Sequence, residues 1–185
     1  MKSRILVVFI VIVALLIAAC GANPEKKRPT VTTAEKIEYA KNGFNVVELD
    51  RYESEDKSIS VDLPYNFLQL MPNGKKSPLM LVNPSSKEWI TLGIDVFEEK
   101  GSFFDRSDEL IKKQIENMYA EHPKLKNVYS VKKINSKWFL VIKNPQTDFY
   151  QTNNEKYWFR LGMSSKNMEN DARKLLESVK IVNIK

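Results

Sequence analysis

The chain has 185 residues, of which 29 are Lys or Arg and 23 are Asp or Glu, with one His and one Cys. This length fits one domain plus a targeting segment. A single Cys excludes an intramolecular disulfide and multi-cysteine zinc or iron–sulfur sites, and a single His excludes metal centres built from several histidines. The net charge of +6 is mild. We therefore expect no nucleic acid partner, no metal and no cofactor.

The first residues have the pattern of an export signal. Lys2 and Arg4 precede an unbroken apolar run from Ile5 to Ala19, which is shorter than the ~20 residues of a membrane-spanning helix. The run predicts a signal peptide over residues 1–19. The alternatives are an uncleaved anchor helix or an ordinary secretory signal with a coincidental Cys.

The end of this signal, Ile17-Ala18-Ala19-Cys20, has the order aliphatic, small, small, Cys. In this it resembles bacterial lipoprotein precursors. The resemblance implies diacylglycerol attachment to the Cys20 thiol, cleavage before Cys20, and acylation of the new amino terminus, so that several acyl chains anchor the protein. It also implies a location in the cell envelope, facing outside the cytoplasm. Because Gly21 rather than Asp follows the Cys, it favours the outer membrane if the host has two membranes.

Residues 20–43 are predicted to comprise the lipidated Cys, a tether and a short helix. Residues 21–31 hold two prolines and few groups to bury, which indicates an extended tether. Its cations, Lys26, Lys27 and Arg28, either contact anionic lipid or only keep the tether solvated. The spacing of Thr32 and Glu35 is that of a capping box, which predicts a helix over residues 34–41.

Residues 44–185 are predicted to form one domain that is rich in strands. Alternating apolar and polar residues indicate strands with one buried face, and the dipeptides Asn135-Ser136 and Asn153-Asn154 indicate hairpin turns. The predicted strands are 44–49, 59–63, 90–96, 128–134, 137–143, 148–151, 156–163 and 181–184. The segment 50–57 is predicted to be a charged connector.

Two amphipathic helices interrupt the strands. The first is predicted to begin after Asp105 or Ser107, with Ile111, Ile115 and Met118 on one face, and to end near His122. The second is predicted to follow Asn167, and its apolar residues at helical spacing are Met168, Ala172, Leu175, Leu176 and Val179. This order of elements predicts an α+β fold, in which helices pack on an antiparallel sheet.

Aromatic residues crowd the two hairpins. Successive residues of a strand point to opposite faces, so Trp138 and Phe139 cannot enter the same core, and Trp158 and Phe159 cannot either. One aromatic set is either covered by the second helix or forms an exposed patch for a ligand or partner. The candidate partner or ligand surface is Trp138, Phe139, Tyr157, Trp158 and Phe159.

The sequence contains no recognisable catalytic set. There is no Gly-x-Ser-x-Gly motif and no phosphate-binding glycine loop, and Cys20 is expected to carry lipid. His122 precedes Pro123 at a predicted helix end, where contact with the last carbonyls is more ordinary than a role as a base. We therefore expect a binding protein rather than an enzyme.

The pattern from Ser58 to Val182 resembles the PsbP family. The matching features are the opening strand, Ile59 to Phe67, the central strand from Trp89 to Phe97, and the final aromatic strand and helix. The resemblance implies an α/β/α sandwich with an antiparallel central sheet that serves in docking or assembly. We therefore expect a membrane-anchored protein-binding or complex-assembly module, and the alternative is a receptor for a small ligand or lipid.

Overall fold

The computed structural model describes residues 27–96, 108–154 and 156–182. The predicted signal peptide, Cys20, Phe97 and the predicted N-caps Asp105 and Ser107 lie outside these residues. Among the described residues, no helix is long and apolar enough to span a membrane. The described helices and strands are α1 Thr33–Lys41, β1 Phe44–Val47, β2 Arg51–Glu53, β3 Ile59–Asp62, β4 Leu68–Pro72, β5 Leu79–Val82, β6 Trp89–Val96, α2 Asp108–Glu121, β7 Tyr129–Ile134, β8 Lys137–Lys143, β9 Asp148–Asn153, β10 Tyr157–Met163, α3 Glu169–Ser178 and β11 Lys180–Ile181.

The strands form two antiparallel sheets. The main sheet has eight strands in the order β1-β4-β5-β6-β10-β9-β8-β7, and a small sheet has the order β11-β3-β2. The charged connector predicted over residues 50–57 therefore contains a strand, β2. The last strand, β11, belongs to the small sheet, where Ile181 pairs with Ile59.

The two faces of the main sheet have different surroundings. We call the face that carries Leu92, Leu161, Tyr150 and Val141 the core face, since the register places these residues side by side. Each of them is at most 4% exposed. They share one apolar cluster with Val61 of the small sheet and with α3. The small sheet and α3 together cover this part of the core face.

Helix α2 packs on the opposite face, which we call the outer face. Trp138 and Lys133 lie on this face, and both bond to the first residue of the helix: the Trp138 indole N–H donates to Asp108 Oδ1 at 3.0 Å, and Lys133 lies 2.5 Å from Oδ2. At the other end of α2, the Tyr119 hydroxyl donates to the carbonyl of Tyr129 at 3.0 Å. Helices therefore lie on both sides of an antiparallel sheet, which confirms the predicted fold class.

Local sequence accounts for the turns and the helix starts. Asn135 and Ser136 have φ of +47° and +69°, which matches a two-residue hairpin turn between β7 and β8. The predicted capping box of α1 is present, because Glu35 N–H donates to Thr32 Oγ1 and Thr32 N–H donates to Glu35 Oε2. A short 3₁₀ helix, Lys166–Met168, directly precedes α3, and the Ser165 hydroxyl caps it by accepting from the Asn167 backbone N–H.

Arg28 does not belong to a free tether. Its guanidinium lies 2.7 Å from Asp50 Oδ1, donates to the carbonyl of Leu49 at 3.2 Å, and sits over the ring of Tyr65 at 5.0 Å. The side chain is 23% exposed. The Leu49 backbone is itself held by the Gln69 amide through bonds of 2.7 and 2.9 Å. Arg28 therefore packs against residues of the predicted domain.

Candidate functional site

The predicted aromatic surface divides between the two faces of the main sheet. Phe139 and Phe159 are 0% exposed and Tyr157 is 6% exposed, and all three belong to the core cluster. The prediction that these three residues form a surface is therefore wrong, because strand alternation points them toward α3 and the small sheet. Trp138 and Trp158 point to the outer face and are half-buried. Trp138 bonds to Asp108 of α2. The second amphipathic helix, α3, does not cover it, because α3 lies on the core face.

Among the described residues of the outer face, Phe149 and Trp89 are aromatic side chains that remain accessible. Phe149 is 41% exposed on β9, and Trp89 is 36% exposed at the start of β6. Neither belongs to the predicted surface. The signal for Phe149 was present in the sequence, because it precedes Tyr150, and one member of such a pair must leave the core when both lie on a strand.

Two glycines lie on the outer face beside Phe149. Gly162 lies opposite Phe149 on one side and Thr91 on the other, and Gly93 lies opposite Arg160. A Cβ at Gly162 would come within 2.8 Å of the Phe149 ring and 3.0 Å of Thr91 Oγ1. The ring therefore rests in space that only a glycine leaves free, as glycines within strands often permit.

The result is a shallow groove of about 320 Å³ on the outer face. We call it the glycine groove. Its lining includes Thr91, Gly93, Phe149, Gln151, Arg160 and Gly162. Arg160 is paired with Asp95, with Nη2 and Oδ2 at 2.6 Å and Nε donating to the same oxygen at 2.8 Å. Both side chains are more than a third exposed. Because the two charges neutralise each other, the groove suits an uncharged partner surface better than a charged ligand.

A polar network lies at the edge of the outer face near Trp89. The backbone N–H of Trp89 donates to Ser164 Oγ at 2.9 Å. Glu88 Oε1 accepts hydrogen bonds from the side chains of Ser165 and Asn167 at 2.6 and 2.9 Å. The Ser165 hydroxyl bond, followed by that of Asn167, lowers the pKa of the Glu88 carboxyl. This network fixes the strand end that presents the indole.

A second concave surface lies between the two sheets. It is a cleft of about 460 Å³ with an apolar floor and a charged rim, and we call it the inter-sheet cleft. Its floor includes Met71, Ile94 and Val96 of the main sheet, and Tyr52 of the small sheet closes one side. Burial raises the pKa of the Tyr52 hydroxyl, which donates to the carbonyl of Lys76 at 3.0 Å.

The residues considered for catalysis and metal binding remain separate. His122 is exposed just before the 3₁₀ helix Pro123–Asn127, and its backbone N–H donates to the carbonyl of Met118. In the described ranges, no three His, Cys, Asp or Glu side chains are grouped so that they could hold a metal ion. The acids Asp50 and Asp56 each pair with a cation instead, Arg28 and Lys156 respectively.

Comparisons with known proteins give only remote similarities. No protein-family model matches the chain, and no curated protein matches it. A crystal structure from Bacteroides thetaiotaomicron is similar at 10% identity and a TM-score of 0.45, over 73% of this chain and 49% of that one, so this chain spans about half its length. The solution structure of PsbP (CyanoP) from Synechocystis is similar at 9% identity and a TM-score of 0.40, over 73% of this chain and 95% of that one.

A PsbP protein is thus among the structures that this chain resembles, as the sequence pattern suggested. Because both TM-scores are below 0.5, the similarities carry no argument about function. What the chain does has to be inferred from its own surfaces.

Proposed function

We propose that this chain is a membrane-anchored module that binds another protein of the cell envelope, or helps to assemble a complex, through the glycine groove. One observation carries the proposal. The centre of the core face, around Leu92, Leu161 and Tyr150, is covered, whereas the outer face leaves Phe149 accessible beside Gly162 and Gly93. Exposed aromatic residues that are held on a rigid sheet are the usual anchors of protein interfaces.

The shape of the groove favours a protein partner over an enclosed ligand. Its volume of about 320 Å³ lies at the lower end of the range for small-molecule pockets, which bury most of the ligand surface. A shallow surface with an aromatic centre and a balanced ion pair at the side has the composition of an interface core with a polar rim. Binding without catalysis is the function that we propose for it.

Membrane anchoring in the proposal depends on Cys20. The sequence Ile17-Ala18-Ala19-Cys20 supports lipid attachment, and two or three acyl chains hold a protein stably where one does not. The Cys20→Ser variant should stay in the soluble fraction or remain as an unprocessed precursor. Unchanged membrane fractionation and unchanged mobility of that variant would contradict the anchor.

The partner surface is tested by crosslinking in intact cells. A C-terminally tagged protein is crosslinked, captured and analysed by mass spectrometry, and wild type is compared with Phe149→Ser. We expect Phe149→Ser to lose the partner set while the protein remains folded by circular dichroism. The matched control is Ile37→Ser, because Ile37 is a 52% exposed apolar residue on α1, away from the groove. Equal capture by the Phe149→Ser variant would assign the partner to another surface.

The groove also supports a second candidate, a receptor for a small ligand or lipid. Thr91 and Gln151 offer hydrogen-bonding groups beside the Phe149 ring, which is the combination that small-molecule sites use. Native mass spectrometry of the purified protein distinguishes the two candidates. A bound small molecule that is lost in Phe149→Ser would favour the receptor, and a bare protein that captures a partner in cells would favour the docking module.

A further inference from the structure

The inter-sheet cleft lies beside the edge of β2. The pairing of β2 with β3 determines which backbone groups of β2 point away from β3. Leu63 N–H donates to the Asp50 carbonyl at 2.9 Å, and Ser54 N–H donates to the Ile59 carbonyl at 2.9 Å. Backbone groups of an antiparallel strand point to alternate sides along the chain. Asp50, Tyr52 and Ser54 therefore bond to β3, and Arg51 and Glu53 turn their backbone groups away from β3.

In the described part of the chain, no hydrogen bond reaches the backbone N–H or C=O of Arg51 or Glu53. Two donors and two acceptors thus stand in a row beside the cleft, and Arg51 and Glu53 belong to its lining. An unpaired strand edge of this kind is a template for an added strand.

Below this edge lies the apolar floor of the cleft. Met71 and Ile94 are partly buried against the core, and Val96 at the end of β6 is 69% exposed. The floor lies on the same side as Tyr52, whose side chain points into the molecule at 5% exposure. An extended segment that paired with β2 would place every second side chain over this floor, because strand side chains alternate.

We propose that the inter-sheet cleft binds an extended peptide segment of a partner protein, which adds an antiparallel strand to the free edge of β2. Its backbone bonds to Arg51 and Glu53, and the side chain opposite Tyr52 enters the cleft. This mode of recognition takes affinity from main-chain hydrogen bonds and specificity from alternate side chains. The site is distinct from the glycine groove, and it stands whether or not the groove binds a protein.

The charges beside the edge select the sequence of the segment. The side chains of Arg51 and Glu53 lie on the exposed side of the small sheet, where Arg51 Nε already bonds to Asp62 across the strand pair at 2.8 Å. Opposite charges on directly paired residues stabilise a sheet, and like charges destabilise it. An antiparallel segment therefore carries a base opposite Glu53, then an apolar residue, then an acid opposite Arg51.

The probe that follows is the capped pentapeptide Val-Lys-Val-Glu-Val with a fluorophore at one end. Its affinity for the full chain in detergent is measured by fluorescence anisotropy, and hydrogen exchange locates the site. We expect saturable binding and slower exchange of the Arg51 and Glu53 amides. N-methylation of the peptide's Lys and Glu nitrogens, which removes two donors, should weaken binding at least about tenfold. The charge-reversed peptide Val-Glu-Val-Lys-Val should also bind more weakly.

Two variants of the chain assign the binding to the cleft. Val96→Glu places a charge at the mouth of the cleft on an already exposed residue and should abolish binding, and Ile37→Glu is the matched control on α1 and should bind as wild type. The proposal is overturned by absence of binding at millimolar peptide, by equal binding of the N-methylated peptide, or by equal binding to Val96→Glu. The fatty acid laurate is the competing probe for the apolar cleft. The proposal is also overturned if laurate binds there and the pentapeptide does not.

Discussion

The two faces of the main sheet are made from the same strands but serve different purposes. On the core face, Phe139 and Phe159 are completely buried under α3 and the small sheet. On the outer face, their neighbours Trp138 and Trp158 are half-buried, and Phe149 is 41% exposed. Crowded aromatic residues in a hairpin are thus divided by strand alternation into residues that stabilise the fold and residues that are available for binding.

The largest expected effect comes from truncating an aromatic residue of the core face. Phe159→Ala removes a ring that is 0% exposed in the centre of the apolar cluster. Replacing a buried Phe by Ala costs about 3–5 kcal/mol, because apolar contacts are lost and a cavity remains. We expect the free energy of unfolding, measured by urea denaturation, to fall by that amount, and the variant to be unfolded if the wild type is only marginally stable.

The matched control is Phe149→Ala, on the neighbouring strand and the other face. Because Phe149 is 41% exposed, its removal should change the free energy of unfolding by about 1 kcal/mol or less. Partner capture should nevertheless be lost. If the two alanine variants were equally destabilised, the distinction between a structural face and a binding face would be wrong.

Filling the floor of the glycine groove should lower the free energy of unfolding by less than Phe159→Ala does. In Gly162→Ala the new Cβ would lie 2.8 Å from two carbons of the Phe149 ring, so the ring must move. Overpacking of this kind costs about 1–3 kcal/mol where the neighbours cannot shift, and less where a ring can swing into solvent. Partner binding should fall with the displaced ring.

A double-mutant cycle with Phe149→Ala shows whether the ring is the cause. If the stability cost of Gly162→Ala arises from this contact, the cost should largely disappear in the Gly162→Ala, Phe149→Ala protein. A cost that persists in the double variant would instead point to Thr91 Oγ1, the next nearest atom at 3.0 Å.

Much of the fold was predictable because it is encoded locally. The hairpin between β7 and β8 follows from alternating strands and Asn135-Ser136, and α1 follows from Thr32 and Glu35. Strands β4 and β5 were missed. Leu79–Val82 is a short apolar run without alternation, which periodicity does not identify as a strand. In Leu68–Pro72 the one polar residue, Gln69, is buried at 2% exposure, so its polarity does not mark an exposed face. The split into two sheets depends on contacts distant in sequence, such as Ile181 with Ile59.

The candidate site was predictable only in part. Alternation required that Trp138 and Phe139 face opposite sides, but nothing in their order shows which side carries the core. That choice depends on α3, whose residues Ala172, Leu175 and Leu176 pack on the core face. The glycine groove requires Gly162 to lie opposite Phe149, and the free edge of β2 requires β2 to be a strand. The first depends on strand register and the second on which segments pair, and the sequence does not display either.

The smallest expected effect concerns the ion pair that joins the small sheet to the main sheet. Lys156 Nζ, beside β10, lies 2.7 Å from Asp56 Oδ2 in the turn between β2 and β3. The hydrogen bond from Lys156, with those from Ser58 and Ser54, holds the pKa of the Asp56 carboxyl far below its usual value. A carboxyl whose pKa is lower in the folded state stabilises the fold above its unfolded pKa, about 4, and this contribution is lost as the pH falls through the folded pKa.

We therefore expect Asp56→Asn to be less stable than wild type at neutral pH, and the difference to shrink below about pH 4. Urea denaturation at several pH values measures this, and Lys156→Gln should lose stability with a similar pH dependence because the pair acts together. A difference that stayed constant down to pH 2 would show that the turn depends on hydrogen-bond acceptors at this position rather than on the charge of Asp56. The charge would then contribute nothing to joining the small sheet to the core face.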